Sequence, residues 1–248
     1  LGFSSGLPLA LTGSALQGWL AEENVSLVTI GVLGLVTQPY IFKFLWAPII
    51  DRFSLPFLGY RTGWIFSMQL LLVIAIITIA FCDPLLNPIA LAILAIIISF
   101  LSATQDLAFD AYRTELLTQQ ERGLGSVVYV YSFRVAMIVS GGGSLLLSYY
   151  IGWRATYIFM AVLIGLCSFA TLFAQDKNRD KNNIRNIRQA VVEPLQEFFF
   201  RNNGQNGRNS QNSCNAVLIL LLILTYKLGE ALSTALTTPL LIKTLNFT

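Results

Sequence analysis

The chain has 248 residues, of which 55% are apolar and only 12% are charged. An ordinary soluble domain carries charge on about a quarter of its residues, so this composition excludes that class and indicates a polytopic membrane protein. The net charge of +3 is too small, and the basic residues are too scattered, for a nucleic-acid-binding surface.

Metal-ligating residues are scarce. Cys82, Cys167 and Cys214 lie far apart without a CxxC spacing, and the sequence contains no histidine. A metal site or a disulfide framework therefore has almost no material, and we predict no cofactor. A membrane enzyme is equally disfavoured, because paired cysteines and histidine are both missing from the sequence.

Long apolar stretches follow one another along the chain. A helix needs about 20 apolar residues to cross the hydrocarbon core of a bilayer. Seven stretches qualify: 1–21, 29–50, 63–82, 88–110, 124–151, 154–174 and 215–243. The sequence opens without Met and the last stretch ends near the C-terminus, so we expect a fragment or a truncated product.

The loops between these stretches differ in charge. Short cytoplasmic loops are enriched in Lys and Arg. The loops after the first, third and fifth stretches hold only Arg154, whereas those after the second, fourth and sixth hold eleven basic residues. The eleven are Arg52, Arg61, Arg113, Arg122, Lys177, Arg179, Lys181, Arg185, Arg188, Arg201 and Arg208. This bias predicts a cytoplasmic N-terminus.

The longest predicted cytoplasmic loop separates the sixth stretch from the seventh. Apolar residues recur at helical spacing over 184–199, which predicts an amphipathic helix on the membrane surface or a linker helix packed on the bundle. The following run, "RNNGQNGRNSQNSCN" (201–215), is polar and aperiodic. We therefore divide the chain into a six-helix bundle (1–174), a cytoplasmic linker (175–214) and the first helix of a truncated second bundle (215–248).

This layout resembles the first half of a major facilitator transporter, in which two inverted three-helix repeats form each six-helix half. The stretch "WAPIIDRFSLPFLGYRTGW" (46–64) resembles the cytoplasmic loop motif of that superfamily. The stretches "ERGLGSVV" (121–128) and "GWRATYIFMAVL" (152–163) resemble the openings of its fifth and sixth helices. The resemblance implies an all-α integral membrane protein: a half-bundle of six transmembrane helices plus the seventh helix.

Five further stretches resemble the AmpG-type muropeptide permeases of Gram-negative bacteria. They are "LGFSSGLPLALTGSALQGWL" (1–20), "GLVTQPYIFKFLWAPIIDR" (34–52), "ATQDLAFDAYRTELL" (103–117), "QAVVEPLQEFFFRNN" (189–203) and "LLLILTYKLGEALSTALTTPLLI" (220–242). The chain departs from that family at Thr118, where a proline is usual, and in an insert at about 204–215.

This family resemblance implies proton-coupled import of GlcNAc-anhydroMurNAc and its peptides across the bacterial inner membrane, for cell-wall recycling. The implied partners are a small muropeptide or sugar ligand, protons, the lipid bilayer and a missing C-terminal half that transport requires. The segment "QDLAFDAYRTELL" (105–117) also resembles the acetyl-coenzyme A transporters of the same superfamily. That alternative, and an inactive fragment, stay open.

Charged residues inside the apolar stretches are the candidate site. A charge at the bilayer centre costs about 2.5–3.5 kcal/mol on insertion scales, so such residues normally face a bundle interior or water. The candidates are Lys43, Asp106, Arg134, Lys227 and Glu230. Asp106 either couples protons to transport, with Gln105 beside it binding a substrate amide or hydroxyl, or forms a static ion pair with Arg134 or Lys43.

Two further choices concern the same set of charges. Lys227 either holds a substrate carboxylate or is neutralised by Glu230, three residues further along the same predicted helix. Asp110 lies one helical turn beyond Asp106 but close to the loop, and we group it with Arg113 as a cytoplasmic gating residue. The loop-motif residues Asp51, Arg52 and Arg61 complete that predicted gating group.

The first stretch is unusually rich in small, helix-kinking and polar residues: Gly2, Gly6, Pro8 and Gly13, together with Ser4, Ser5, Thr12, Ser14 and Gln17. Such a helix either lines a transport cavity or packs closely against a neighbouring helix. The run "SGGGS" (140–144) favours helix packing. Trp19 and Trp153 lie near predicted periplasmic ends and are expected to be interfacial anchors.

Overall fold

The computed structural model describes residues 2–23, 33–53 and 59–174, together with positions 25, 29, 218, 221, 222 and 225. These residues form helices and connecting turns, and no strand occurs within those ranges. The chain divides into two units, Leu1–Ile184 and Arg185–Thr248, and the helices described below belong to the first unit. The predicted amphipathic helix and most of the seventh stretch lie outside the described residues.

The first apolar stretch is helical but interrupted. It consists of helix α1 (Gly2–Ala10), a π-helical turn (Leu11–Ala15) and helix α2 (Leu16–Glu22). Pro8 lies inside α1 and cannot donate a backbone hydrogen bond. One turn later, where the π-helical turn lies, the Thr12 hydroxyl donates to the Pro8 carbonyl at 2.9 Å. The first stretch is therefore an irregular helix.

The second stretch, expected as one span over 29–50, is broken into short pieces. In order they are a 3-10 turn (Gly34–Thr37), helix α3 (Pro39–Phe42), a second 3-10 turn (Lys43–Leu45) and helix α4 (Ala47–Arg52). Pro39 and Pro48 each stand at the start of a new helix, where the missing N–H does no harm. The described part of this stretch is therefore an interrupted helix rather than a continuous one.

The remaining stretches form long helices: α5 (Thr62–Ala80), α6 (Pro88–Leu116), α7 (Arg122–Ser140) and α8 (Gly142–Leu172). By length and hydropathy, three helical segments among the described residues can cross a membrane: Thr62–Ala80, Pro88–Leu116 and Arg122–Leu172. Gly152, with φ of +79°, breaks α8 where the sequence separates two stretches. The break at Gly141, inside the predicted fifth span, was not anticipated.

The turn between α6 and α7 contains Thr118, the position where the resembled family usually has proline. The Thr118 hydroxyl and backbone N–H donate to Glu121 Oε2 at 2.7 and 3.2 Å. These two bonds hold the pKa of the Glu121 carboxyl below its usual range, the hydroxyl contributing more than the backbone. A proline could supply neither donor, so this loop is closed by a contact that proline lacks.

Polar side chains point inward and many apolar side chains point outward. Ser4, Gln69 and Gln105 are fully buried, whereas Ile74 is 61% exposed and Leu146 is 70% exposed. In water this distribution would leave large apolar patches, but it suits helices whose outer faces contact lipid. The described unit therefore has the interior and exterior of a multi-pass membrane protein.

Trp19 and Trp153 do not lie on the outer surface as interfacial anchors would. They are only 5% and 8% exposed, and their rings stack with centroids 6.1 Å apart. Trp153 also donates its Nε1–H to Glu22 Oε2 at 2.5 Å. The expectation of anchors is thus corrected: the two rings tie the end of α2 to α8, because stacking and a charge-assisted bond stabilise them inside the protein.

Helices α1 and α7 approach each other closely at small residues. A Cβ added at Gly6 would lie 2.5 Å from the Phe133 carbonyl oxygen and 3.0 Å from the Ala136 Cβ. A Cβ at Gly2 would lie 3.0 Å from Tyr129 Cδ2. Gly2 and Gly6 are four residues apart on one face of α1, the spacing that brings membrane helices together. For these two glycines, close packing is what the structure shows.

Candidate functional site

A buried amide and hydroxyl network joins four helices. The Gln69 amide of α5 and the Gln105 amide of α6 each donate from Nε2 to the Ser4 Oγ of α1, both at 2.9 Å. The Thr171 hydroxyl of α8 donates to Gln69 Oε1 at 2.8 Å. Ser4, Gln69, Gln105 and Thr171 are all fully buried. Ser4 is therefore the shared acceptor that orients two glutamine side chains in the interior.

Replacing Ser4 by alanine should destabilise the protein measurably. Ser4→Ala removes the oxygen on which both glutamine amides converge, and each stranded buried donor costs about 1–3 kcal/mol. We expect a lower unfolding temperature in detergent. The matched control is Ser14→Ala in the same stretch, because Ser14 is exposed and bonds only its own helix. Equal unfolding temperatures for both variants would contradict the network's structural role.

Gln105 keeps one polar atom available. Its Oε1 is buried, and within the described part of the chain it has no hydrogen-bond partner. The Nε2 of the same amide is engaged by Ser4, so the side chain is held with its oxygen presented. A buried acceptor without a partner is costly unless a water or a ligand donor satisfies it. This geometry suits the predicted role of Gln105 in binding a ligand N–H or O–H.

Asp106, next along α6, has a different environment from Gln105. Its side chain is only 5% exposed, and the Ser5 hydroxyl of α1 donates to its Oδ1. Lys43 and Asp110 also act on it electrostatically. Among the described residues no cation lies within ion-pair distance of Asp106. The static pair with Lys43 or Arg134 is therefore not what the structure records, and the direct partner is a neutral hydroxyl.

Lys43 contacts Asp110 rather than Asp106. Its Nζ is 3.8 Å from Asp110 Oδ2, and Arg113 Nη2 is 3.5 Å from the other oxygen, Oδ1. The three side chains are 24–43% exposed, so solvent weakens both contacts. The guanidinium of Arg113 also lies 4.7 Å from the centroid of the Tyr129 ring on α7. The Asp110 carboxylate thus contacts one cation from the second predicted span, Lys43, and one from the loop predicted after the fourth span, Arg113.

Arg61 forms a separate ion pair with Glu115. The Arg61 Nη2 and Nε lie 2.9 and 3.3 Å from Glu115 Oε1, and the arginine side chain is only 4% exposed. This pair connects the start of α5 with the end of α6. Asp51 and Arg52 end α4, but their side chains are not among those described. Of the predicted gating group, the structure brings Asp110 and Arg113 together and pairs Arg61 elsewhere.

The other predicted site residues form no ion pair with Asp106 among the described contacts or lie outside the described residues. Arg134 is on α7 and exposed. Lys227 and Glu230 lie outside the described residues. Their proposed pairing, and the proposed use of Lys227 as a carboxylate ligand, stay predictions.

Several site residues were not singled out from the sequence. Gln69, Thr171 and Glu115 were missed, and Ser4 and Ser5 were noted only for the polarity of the first stretch. Gln69 could have been identified from the sequence, because an amide in the middle of an apolar stretch needs a hydrogen-bond partner inside the protein. Thr171 had none, because threonine can satisfy its hydroxyl on its own helix, as it also does here with the Cys167 carbonyl at 3.1 Å.

Comparison with known sequences agrees with this architecture. The sequence profile of the Major Facilitator Superfamily matches residues 1–248. The chain belongs to the major facilitator superfamily. It is therefore a multi-pass membrane protein of a superfamily of transporters, and the part of it that the structure describes consists of helices and turns.

Curated relatives within the major facilitator superfamily are similar over the whole chain. The anhydromuropeptide permeases of Escherichia coli K12 and O157:H7 are each 45% identical over 248 residues, which is 100% of this chain and 48% of each permease. An uncharacterized protein of Haemophilus influenzae is 36% identical over 239 residues, 96% of this chain and 54% of that protein. The chain spans about half the length of these relatives.

Proposed function

We propose that this chain forms the first half of a facilitator that imports anhydromuropeptides across the bacterial inner membrane, driven by protons. The single observation that carries the proposal is the 45% identity to the E. coli anhydromuropeptide permease over every residue of the chain. A six-helix bundle over 1–174, a linker over 175–214 and the first helix of a second bundle over 215–248 fit that role. Relatives that are permeases also favour a transporter over an enzyme.

The interior of the described unit suits a polar, acidic ligand. Gln105 offers an oxygen without a partner among the described residues to a sugar O–H or amide N–H, and Lys43 and Arg113 supply two cations at Asp110, further along the same helix. Arginine binds carboxylates bidentately, which fits the peptide carboxylates of a muropeptide. Asp106 is the proposed coupling residue, since it is buried and held by a hydroxyl rather than by a permanent counter-ion.

Ligand binding tests the substrate class. The protein for this test is a fusion of the chain with the remainder of the E. coli K12 relative, hereafter the fusion transporter, because facilitator sites lie between two halves. We expect GlcNAc-anhydroMurNAc-peptide to raise its unfolding temperature in detergent, because a ligand that binds only the folded state stabilises it. Acetyl-coenzyme A is the comparison ligand. Stabilisation by acetyl-coenzyme A alone would replace the muropeptide proposal with the acetyl-coenzyme A transporter alternative.

The proposed orientation has its own test. With Cys82, Cys167 and Cys214 replaced by serine, a single cysteine at Asn87 should react with an impermeant maleimide only from the periplasm. A cysteine at Asn203 should react only from the cytoplasm, because the basic loops stay there. The measurement is labelling of intact cells and of inverted vesicles. The reverse pattern would exclude a cytoplasmic N-terminus and the inverted-repeat alignment with it.

A further inference from the structure

Polar contacts between α6 and the first stretch follow an antiparallel order. The Ser99 hydroxyl of α6 donates to Thr12 Oγ1 at 3.5 Å. Further along α6, the Gln105 amide donates to Ser4 Oγ at 2.9 Å. Ser102 lies midway between Ser99 and Gln105, so the three side chains share one side of α6. A third polar contact with the first stretch is therefore expected at Ser102.

Ser102 makes no such contact. It is fully buried, and its Oγ has no hydrogen-bond partner among the described residues. The antiparallel order places it level with Pro8 and Leu9 of α1, whose side chains cannot form hydrogen bonds. Other buried serines of the long helices donate to a carbonyl of their own helix, as do Ser140, Ser144, Ser148 and Ser168. A buried hydroxyl without a partner is costly in free energy, which indicates a partner from outside the described bundle.

Two further buried oxygens near Ser102 also lack a partner among the described residues. Gln105 Oε1 is one helical turn along α6, and the bond from Gln105 Nε2 to Ser4 fixes the orientation of that amide. Tyr40 Oη is the other oxygen, and it belongs to α3, a helix that packs against α6. Its polar neighbours are Ser102 and Asp106. Three oxygens without a partner therefore lie together on one side of α6, beside Asp106.

We propose that Ser102 and Gln105 form a subsite for one hydroxyl group of a saccharide ligand. This inference rests on the proposed function, because it assigns part of the muropeptide site. A ligand O–H donates its hydrogen to Gln105 Oε1 and accepts one from Ser102 Oγ, so a single hydroxyl satisfies both residues. A ligand N–H can only donate and would leave the Ser102 hydrogen without an acceptor. Water has the same chemistry as the ligand hydroxyl, but a water would fill the subsite in the unliganded protein as well.

The test uses the fusion transporter in detergent and measures ligand affinity by titration calorimetry. Ser102→Ala removes one hydrogen bond to the ligand, so the dissociation constant of GlcNAc-anhydroMurNAc-peptide should rise about threefold to tenfold. GlcNAc-anhydroMurNAc without its peptide should show the same loss, because the missing bond is to the saccharide. The unfolding temperature without ligand should stay constant or rise, since alanine removes a buried hydroxyl that has no partner in that state. As the control, Ser140→Ala deletes a buried hydroxyl that bonds the Ala136 carbonyl and should leave the affinity unchanged.

A lower unfolding temperature for unliganded Ser102→Ala, whatever its affinity, would overturn the subsite. It would indicate a permanent water at Ser102 or a static bond between Ser102 and Tyr40. Tyr40→Phe separates these two, because only the static bond makes its deletion strand the serine hydroxyl and lower the unfolding temperature as well. A loss of affinity confined to the peptide-bearing ligand would also overturn the saccharide assignment. If the unsubstituted fusion transporter binds the muropeptide and Ser102→Ala binds it equally well, the proposed function stands and only the subsite falls. Absence of binding by the unsubstituted protein would remove both.

Discussion

Asp106→Asn in the fusion transporter should abolish accumulation of ligand against its gradient while leaving binding and equilibrium exchange intact. Asparagine keeps the size of the side chain, and its Oδ1 can still accept the Ser5 hydroxyl that Asp106 accepts in the structure. What it loses is the ability to take up and release a proton, so transport can run downhill only. Accumulation at imposed pH gradients, exchange between equal ligand concentrations and unfolding temperature should be measured on the same preparation.

The alternative for Asp106 predicts a different pattern. Had the carboxylate neutralised a buried cation permanently, its replacement would strand that charge and destabilise the protein by about 3–5 kcal/mol, with folding and binding failing together. The hydroxyl partner in the structure argues for the first pattern. Asp83→Asn is the matched control, because Asp83 is exposed and accepts only local backbone N–H groups. Full accumulation by Asp106→Asn would exclude the coupling role.

Gly6→Ala should destabilise the bundle strongly for so small a change. The new Cβ would lie 2.5 Å from the Phe133 carbonyl oxygen, a backbone atom that cannot rotate away. α1 and α7 would have to separate, and forced overpacking of this kind costs about 1–3 kcal/mol or more. Moving α1 would also displace Ser4 and Ser5 from their partners on α6. We expect a lower unfolding temperature and weaker ligand-induced stabilisation together.

Gly13→Ala is the control for this substitution. Gly13 lies in the same apolar stretch, and an added Cβ would meet nothing within 4 Å. Because alanine also loses less backbone entropy than glycine on folding, the unfolding temperature should stay constant or rise slightly. If Gly6→Ala is as stable as Gly13→Ala, the close approach of α1 and α7 does not exist in the membrane.

Hydropathy predicted the long helices well and the short ones badly. The stretches 63–82 and 88–110 correspond to Thr62–Ala80 and Pro88–Leu116. α6 continues past the predicted end because charged residues form helix in water as readily as apolar residues do in lipid. Hydropathy detects only the apolar part of such a helix. The helix within the 29–50 stretch is interrupted, which hydropathy does not indicate because it takes no account of the helix-starting prolines Pro39 and Pro48.

The sequence identified the unusual residues of the site but not their partners. An aspartate in an apolar stretch is conspicuous, so Asp106 was found. Ser5, its hydrogen-bond donor, is 101 residues away, and only the rotation of α1 relative to α6 decides that Ser5 rather than Ser4 reaches the carboxylate. Lys43 was one of two cations named as a possible static partner of Asp106, and it contacts Asp110, one helical turn along α6. The position of a residue along its predicted helix can be read from the sequence. The side of the helix that faces a given neighbour depends on how the helices pack.

The π-helical turn at Leu11–Ala15 sets the relative phase of the two ends of the first stretch. A π turn holds one residue more than an α turn, and one residue corresponds to about 100° of rotation around the axis. With this offset, Ser4 and Ser5 face α6 at one end while Trp19 faces Trp153 at the other. If the turn relaxed to regular α-helix, one end would have to rotate away from its partners. The turn thus sets the rotation of one end of the first stretch relative to the other. A helix without it could keep the contacts of Ser4 and Ser5 or the contact of Trp19, but not both.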